Sequence, residues 1–388
     1  TKIDWPLKIN PSTFDLKPIA VQETDSERMT VYKNLIREQF AQKKSVIMLL
    51  PTAQLVEDTA LKIQKGLEDY TFIIHGNLSA KTITKKWQLA ENNRKPILVI
   101  TTPWHLGLKR SDWGLIIVDQ ENNDNYKSLR KPFIDGRLLA QILAKKMFLK
   151  IIYGDILLTT DTIYQIGKKL TEPLRPIKYR FLTEAKTQLI ELKAETEKKV
   201  EDNFSILSSS ALDILTTGAG RDRSLILTGR KGWSPLVVCE DCGQILLCSD
   251  CQKPELFTRP NGPQKPGELI CRHCQKKRPA DSFCSYCQSW RLKPLGLGAE
   301  QIKSDYEKNF PGSRSWFITG DDHSPSQAKK TIKAFLNAPG GVLIGTEFIL
   351  NYLNEPIENI IIATLDAVLS VPNYRINEKI FKLIIQTR

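Results

Sequence analysis

The 388-residue chain carries 56 Lys and Arg against 43 Asp and Glu, a formal net charge of +13, and 41% of its residues are hydrophobic. That is enough apolar material for the cores of two or three domains, and no apolar run approaches the length of a membrane span. The cation excess favours a polyanionic partner, nucleic acid ahead of a membrane surface, although lysine-rich solvated faces give the same balance.

In chain order, residues 1–20 hold three prolines and no clear period, and read as a linker or the end of a preceding domain. A helical pattern then runs through Met29, Tyr32, Leu35, Ile36 and Phe40, followed by an apolar strand at 45–50 and a helix at 53–67. Short strands rich in Ile and Val are predicted at 71–74, 97–101, 115–118 and 150–153, with helix-like segments between most of them. Such a rhythm implies a buried parallel sheet covered by helices, an α/β class. A polar passage rich in Lys and Glu at 184–203 marks a domain boundary. Strands restart at 224–227, are interrupted by a cysteine-rich stretch, and resume at 315–318, 341–344 and 360–364.

That stretch holds every cysteine, in four pairs: Cys239/Cys242, Cys248/Cys251, Cys271/Cys274 and Cys284/Cys287. Two residues between thiolates let both sulfurs of a turn reach one tetrahedral zinc ion at roughly 2.3 Å. Eight thiolates make two closed, structural sites with no open position for water or substrate. Disulfides are the competing reading, but a lysine-rich chain with no secretory leader points to a reducing compartment, hence the cytoplasm. Five residues separate Cys242 from Cys248 and nine separate Cys274 from Cys284, so spacing permits adjacent or nested partners. His273 is an alternative ligand beside its reading as a polar surface histidine.

The run Arg230-Lys231-Gly232-Trp233 leading into Cys239, the four knuckles, Gly296-Leu297-Gly298-Ala299-Glu300, and Ile344-Gly345-Thr346 resemble the primosomal protein N′ family of bacterial replication-restart helicases. The resemblance runs from about residue 14 to Arg388 and is strongest between Gly229 and Thr346. It implies a superfamily 2 core of two RecA-like lobes with parallel sheets, the second interrupted by a two-zinc, eight-cysteine module. The expected divisions are 1–20, linker or end of a missing N-terminal DNA-binding domain; 21–185, lobe 1; 186–235, start of lobe 2; 236–292, zinc insertion; and 293–388, a truncated remainder of lobe 2. It further implies nested ligation, with Cys239, Cys242, Cys284 and Cys287 sharing one zinc ion and Cys248, Cys251, Cys271 and Cys274 the other. The implied partners are forked or single-stranded DNA, primosome proteins and single-strand-binding proteins, near the nucleoid and with no membrane.

Against the family pattern the motor motifs are degenerate. A phosphate loop needs glycines for close backbone approach, a lysine for the β and γ phosphates and a hydroxyl for Mg²⁺. In that place stands Gln22 to Met29, with Gln22, Asp25 and Glu27 at the glycine positions, Ser26 between them, Arg28 for the lysine and Met29 for the hydroxyl. Side chains block the approach, two carboxylates repel a triphosphate, and a thioether is a poor ligand for hard Mg²⁺, so ATP and Mg²⁺ are not expected in the usual mode. The second motif reads Asp119-Gln120-Glu121-Asn122 where the family has Asp-Glu-Glu-His. Gln120 cannot accept the proton that a carboxylate there would handle, whereas Asp119 and Glu121 read equally as a polar strand end. Tyr153-Gly154-Asp155-Ile156 stands in place of a Gly-Ser-Ala-Thr block.

Nucleic-acid candidates are Arg137, at a family arginine position, and Arg230, Lys231 and Trp233, which combine cations with a stacking platform. A solvated helix face and packing on the zinc module are the respective alternatives. Together these features describe a DNA-binding protein of replication restart that scaffolds primosome assembly around an inactive ATPase core. The competing readings are an active ATP-driven 3′–5′ DNA helicase, and a zinc-module protein-interaction scaffold that does not bind DNA.

Overall fold

The computed structural model describes residues 16–128, 131–178, 183–191, 207–228, 236–258, 267–271, 274–279, 283–295, 299–320, 324–353, 355–363, 365 and 375–388. They fall into two compact units, Thr1–Leu182 and Thr183–Arg388.

The first unit is a seven-stranded sheet built from β1 (Ile19–Gln22), β2 (Ser45–Leu49), β3 (Thr71–Ile74), β4 (Leu98–Thr101), β5 (Trp113–Asp119), β6 (Lys150–Asp155) and β7 (Glu172–Pro173). Their order across the sheet is β3-β4-β2-β5-β6-β1-β7, and every pairing is parallel. Helices α1 (Asp25–Ala41), α2 (Ala53–Ile63), α3 (Ala80–Asn92), α4 (Gly136–Met147) and α5 (Thr160–Gly167) provide the crossovers. Successive strand residues point to opposite faces, so the run Val46-Ile47-Met48-Leu49 divides between two cores. Val46 and Met48 pack with Tyr32 and Ile36 of α1 and Val56 and Ala60 of α2. Ile47 and Leu49 pack with Ala90 of α3 and Ala140 and Ala144 of α4. Burial on both faces explains why these strands read as continuous apolar runs.

Helix starts follow local chemistry. Thr52, Ser79, Asp135 and Thr159 each accept a backbone N–H of the first turn, of Leu55, Thr82, Arg137 and Thr162 respectively. The helix expected over 53–67 stops at Ile63, because the chain turns through Gly66 at φ 82° before a short 3-10 turn at Glu68–Tyr70.

The second unit holds a smaller parallel sheet of β8 (Ser224–Thr228), β14 (Ser315–Ile318), β15 (Val342–Thr346) and β16 (Asn359–Ile362), ordered β14-β15-β8-β16. Its described helices are α6 (Ser209–Thr217), α7 (Ala299–Asn309), α8 (Pro325–Leu336) and α9 (Ile376–Gln386). Between β8 and α7 lies a small antiparallel module. β9 (Leu236–Cys239) pairs with β13 (Leu292–Leu295), and β10 (Glu255–Thr258), β11 (Glu268–Cys271) and β12 (Lys277–Pro279) form a three-stranded sheet. No helix among the described residues is long and apolar enough to cross a membrane.

The sheet order of the first unit positions its site. β5, β6 and β1 are neighbours, and their registers set Asp119 beside Gly154 and Gln22 beside Asp155 at the C-terminal edge of the sheet. That edge is where open α/β sheets take ligands.

Candidate functional site: two cysteine clusters and a filled cleft

The eight cysteines form two groups of four, Cys239, Cys242, Cys284 and Cys287, and Cys248, Cys251, Cys271 and Cys274. Within each group every sulfur lies within 4.8 Å of the others. The closest pairs are Cys239–Cys287 at 3.4 Å, Cys242–Cys284 at 3.7 Å, Cys248–Cys274 at 3.4 Å and Cys251–Cys271 at 3.3 Å. A tetrahedron with roughly 2.3 Å metal–sulfur bonds has edges of about 3.8 Å, so both groups fit a four-sulfur zinc site, and these separations are far beyond a disulfide bond.

All four knuckles share one backbone turn. The first cysteine carbonyl accepts from the residue four positions on: Gly243 N to Cys239 O at 2.9 Å, Gln252 N to Cys248 O at 2.9 Å, Gln275 N to Cys271 O at 2.8 Å and Gln288 N to Cys284 O at 2.9 Å. Each of those four residues is left-handed, with φ of 70°, 55°, 63° and 60°. The turn aims both sulfurs of a pair to one side. Around the knuckles, cations are matched to carboxylates: Lys276–Asp250 at 2.6 Å, Lys277–Glu268 at 3.5 Å, Arg278–Glu255 at 2.5 Å, and Arg291 with Asp241.

At the sheet edge of the first unit, the residues expected to form a degenerate phosphate loop are mostly helix. β1 ends at Gln22 and α1 begins at Asp25, so the connection is Glu23 and Thr24 alone. The carboxylate of Glu27 accepts from Thr24 N at 3.2 Å and Thr24 Oγ1 at 2.8 Å, and with Asp25 it places negative charge at the positive end of the helix dipole. Ser26 Oγ lies 3.4 Å from Thr24 Oγ1. Met29 is buried in the core with Tyr32 and Ile36.

Arg28, 3% exposed, turns inward and closes the cleft. Its Nε donates to Asp119 Oδ1 at 2.8 Å, Nη2 approaches Asp119 Oδ2 at 3.5 Å and Asp25 Oδ1 at 3.4 Å, and Nη1 donates to the Glu23 carbonyl at 2.9 Å. Tyr32 Oη donates to Asp119 Oδ1 at 2.8 Å. Burial opposes the Arg28 charge, but Asp119, Tyr32 and Asp155 outweigh it and raise its pKa further. Burial first and the Asp119 charge second push the Tyr32 hydroxyl well above its ordinary range. The tyrosine is accommodated because position 154 is glycine: a Cβ there would lie 1.7 Å from the Tyr32 hydroxyl oxygen. Sequence reasoning located Arg28 and Asp119 but did not join them, and it missed Tyr32 and Gly154 as members of this cluster.

The rest of the second motif is engaged in local contacts. Gln120 sits at φ 52° in the turn leaving β5. Glu121 accepts from Thr159 N at 2.5 Å and Thr159 Oγ1 at 3.1 Å, and burial, against the Thr159 bonds, lifts its carboxyl to about 7. Asn122 N donates to Asp155 Oδ2 at 3.0 Å. Arg137 is buried instead of presented on a helix face: Nε and Nη2 bind Asp135 at 2.9 and 2.7 Å, Nη1 donates to the Glu121 carbonyl at 2.7 Å, and the guanidinium lies 5.8 Å from the Tyr126 ring centre. It braces the turn after β5. Arg230, Lys231, Trp233 and His273 lie outside the described residues.

No family model matches the chain. Replication restart protein PriA of Bacillus subtilis is 23% identical over 369 residues, covering 94% of this chain and 44% of the relative. PriA of Haemophilus influenzae is 24% identical over 374 residues, covering 94% and 49%. The chain is similar to PriA along nearly its whole length, at low identity. It spans about half the length of the curated PriA relatives it matches. Among solved structures, S. cerevisiae Dbp5 bound to RNA and ADP BeF3 is similar over 96% of this chain and 75% of that chain, at 9% identity and a TM-score of 0.46. The PriA likeness thus extends over nearly the whole chain, both sheets and the cysteine module included.

Proposed function

We propose that this chain is a DNA-binding, primosome-scaffolding member of the PriA family whose first lobe takes no nucleotide. The observation that carries the reading is the buried Arg28–Asp119 pair, closed by Tyr32. A nucleotide cleft needs an open loop of backbone N–H groups, a cation free to meet phosphate and a carboxylate free to hold hydrated Mg²⁺. Here the loop is two residues long, and the cation and the carboxylate neutralise each other. Gln120 supplies no base in this reading. The eight cysteines hold two structural zinc ions that keep the module folded. The net charge of +13 supports a polyanionic partner, with forked or single-stranded DNA as the ligand and Arg230, Lys231 and Trp233 among its contacts.

One observation favours a second reading, that the module docks protein. Phe283, Tyr286 and Trp290 are each more than half exposed, beside cations already matched to carboxylates. Calorimetry with magnesium-ATP, with and without forked DNA, tests the proposal. Salt-dependent fork binding with no nucleotide heat and no DNA-stimulated phosphate release is expected. Micromolar nucleotide binding would overturn it, and absence of fork binding would favour the docking reading.

A further inference from the structure

The cleft is joined to the segment that leaves the first sheet. β7 pairs with β1 in parallel, and Glu172 N and Leu174 N donate to the carbonyls of Pro18 and Ala20 at 2.9 and 2.8 Å. Four residues beyond Leu174, the Gln22 side-chain amide grips the backbone of Lys178 from both sides: Lys178 N donates to Gln22 Oε1 at 2.9 Å, and Gln22 Nε2 donates to Lys178 O at 3.1 Å. Glu23, 1% exposed, receives two cations from the same segment, Arg175 Nη1 at 3.1 Å and the Lys178 ammonium. The other groups of Glu23 point into the cleft: its N–H donates to Asp155 O at 3.2 Å and its carbonyl accepts from Arg28.

We propose that residues 172–178 form a strap latched by Glu23, which ties the chain leaving lobe 1 to the filled cleft in a single nucleotide-independent state. The inference rests on the reading that the cleft is filled. The physical case is one of charge supply. Asp25, Asp119 and Asp155 crowd this edge, and Arg28 is spent on the first two and on the Glu23 carbonyl. A buried Glu23 carboxylate therefore needs cations from elsewhere, and the strap brings two whose side chains remain 59% and 40% exposed. Where a phosphate loop would respond to its ligand, this chain has a joint of one residue whose side chain holds the strap and whose backbone holds the plug.

Hydrogen exchange on the full chain tests the latch. In Glu23→Gln, and in Lys178→Met, amides of 172–178 should exchange roughly tenfold faster or more, while 115–118 in the sheet centre keep their protection. If Glu23→Gln loosens the whole lobe, so that 115–118 also exchange faster, the half-exposed Lys178→Met decides. Unchanged exchange of 172–178 in Lys178→Met, with or without a change in the other variant, overturns the latch. Millimolar magnesium-ATP should leave exchange of 172–178 in the parent chain unaltered. A response confined to 22–29 would count against the filled cleft while leaving the latch to its own variants, and a response of 172–178 would overturn the latch's independence from nucleotide.

Discussion

Arg28 and Asp119 are 91 residues apart in the chain and 2.8 Å apart in space, and the energetics of lobe 1 turn on that contact. Removing one partner of a buried pair strands the other charge at a cost of roughly 3–5 kcal/mol, whereas replacing both with apolar groups is often neutral. Arg28→Met should accordingly destabilise the first unit by that order, read as a lower urea midpoint at unchanged slope, and the double variant with Asp119→Leu should recover most of the loss. A single variant with an unchanged midpoint would show that the pair is solvated. Glu121 adds a pH dependence of opposite sense to a surface carboxylate. Its folded pKa of about 7 stands above the ordinary value of 4.5, so the native state binds more protons than the unfolded chain between those values. Stability should fall as pH rises through that window, by about 1 kcal/mol per pH unit, and level off above it. Glu121→Gln, which keeps the shape and stays neutral, should flatten this slope in denaturation midpoints taken at pH 5 and pH 8.

Among the elements, the cysteine knuckles repeat one device that their spacing does not reveal. Three of the four place glutamine where the backbone is left-handed, at Gln252, Gln275 and Gln288, and only Gly243 supplies the residue that adopts this conformation without steric cost. Gln288→Gly should therefore strengthen its knuckle by about 0.5–1 kcal/mol, seen as slower zinc release to a chelator, while Gln244→Gly, outside the left-handed position, should not. The strands were legible in the sequence because burial on both faces demands unbroken Ile and Val, as in Leu115 to Val118. The ligand grouping of the cysteines was not legible from spacing, which left adjacent and nested partners open; the family resemblance supplied it. The departure of Gln22 to Met29 from a phosphate-loop pattern was legible in the sequence. What those residues build was not, because Thr24, Glu27 and Arg28 read as departures from a loop and only the fold shows them opening a helix and reaching across the sheet.

For the molecule as a whole, the same sheet edge that would bind a ligand in an open α/β fold is used here for cohesion. Residues 19–22, 113–119 and 150–155 bring their polar ends together: Arg28 and Tyr32 both donate to Asp119, Arg137 donates to the Glu121 carbonyl, and Thr159 donates to the Glu121 carboxylate. A side chain at such an edge is thus legible in type but not in role. Arg137 was a nucleic-acid candidate with a solvated helix face as the alternative, and it is buried because Asp135 and the Glu121 carbonyl lie within its reach. The paired clusters of sulfur also carry an electrostatic consequence for the whole chain. Between residues 236 and 292 the sequence has eight Lys and Arg against six Asp and Glu, and each zinc held by four thiolates adds a formal charge of about −2. Metal loading therefore reverses the sign of this small module inside an otherwise cationic protein. The module stripped of metal would attract phosphate backbones more strongly than the loaded one, although the whole chain stays cationic in both states.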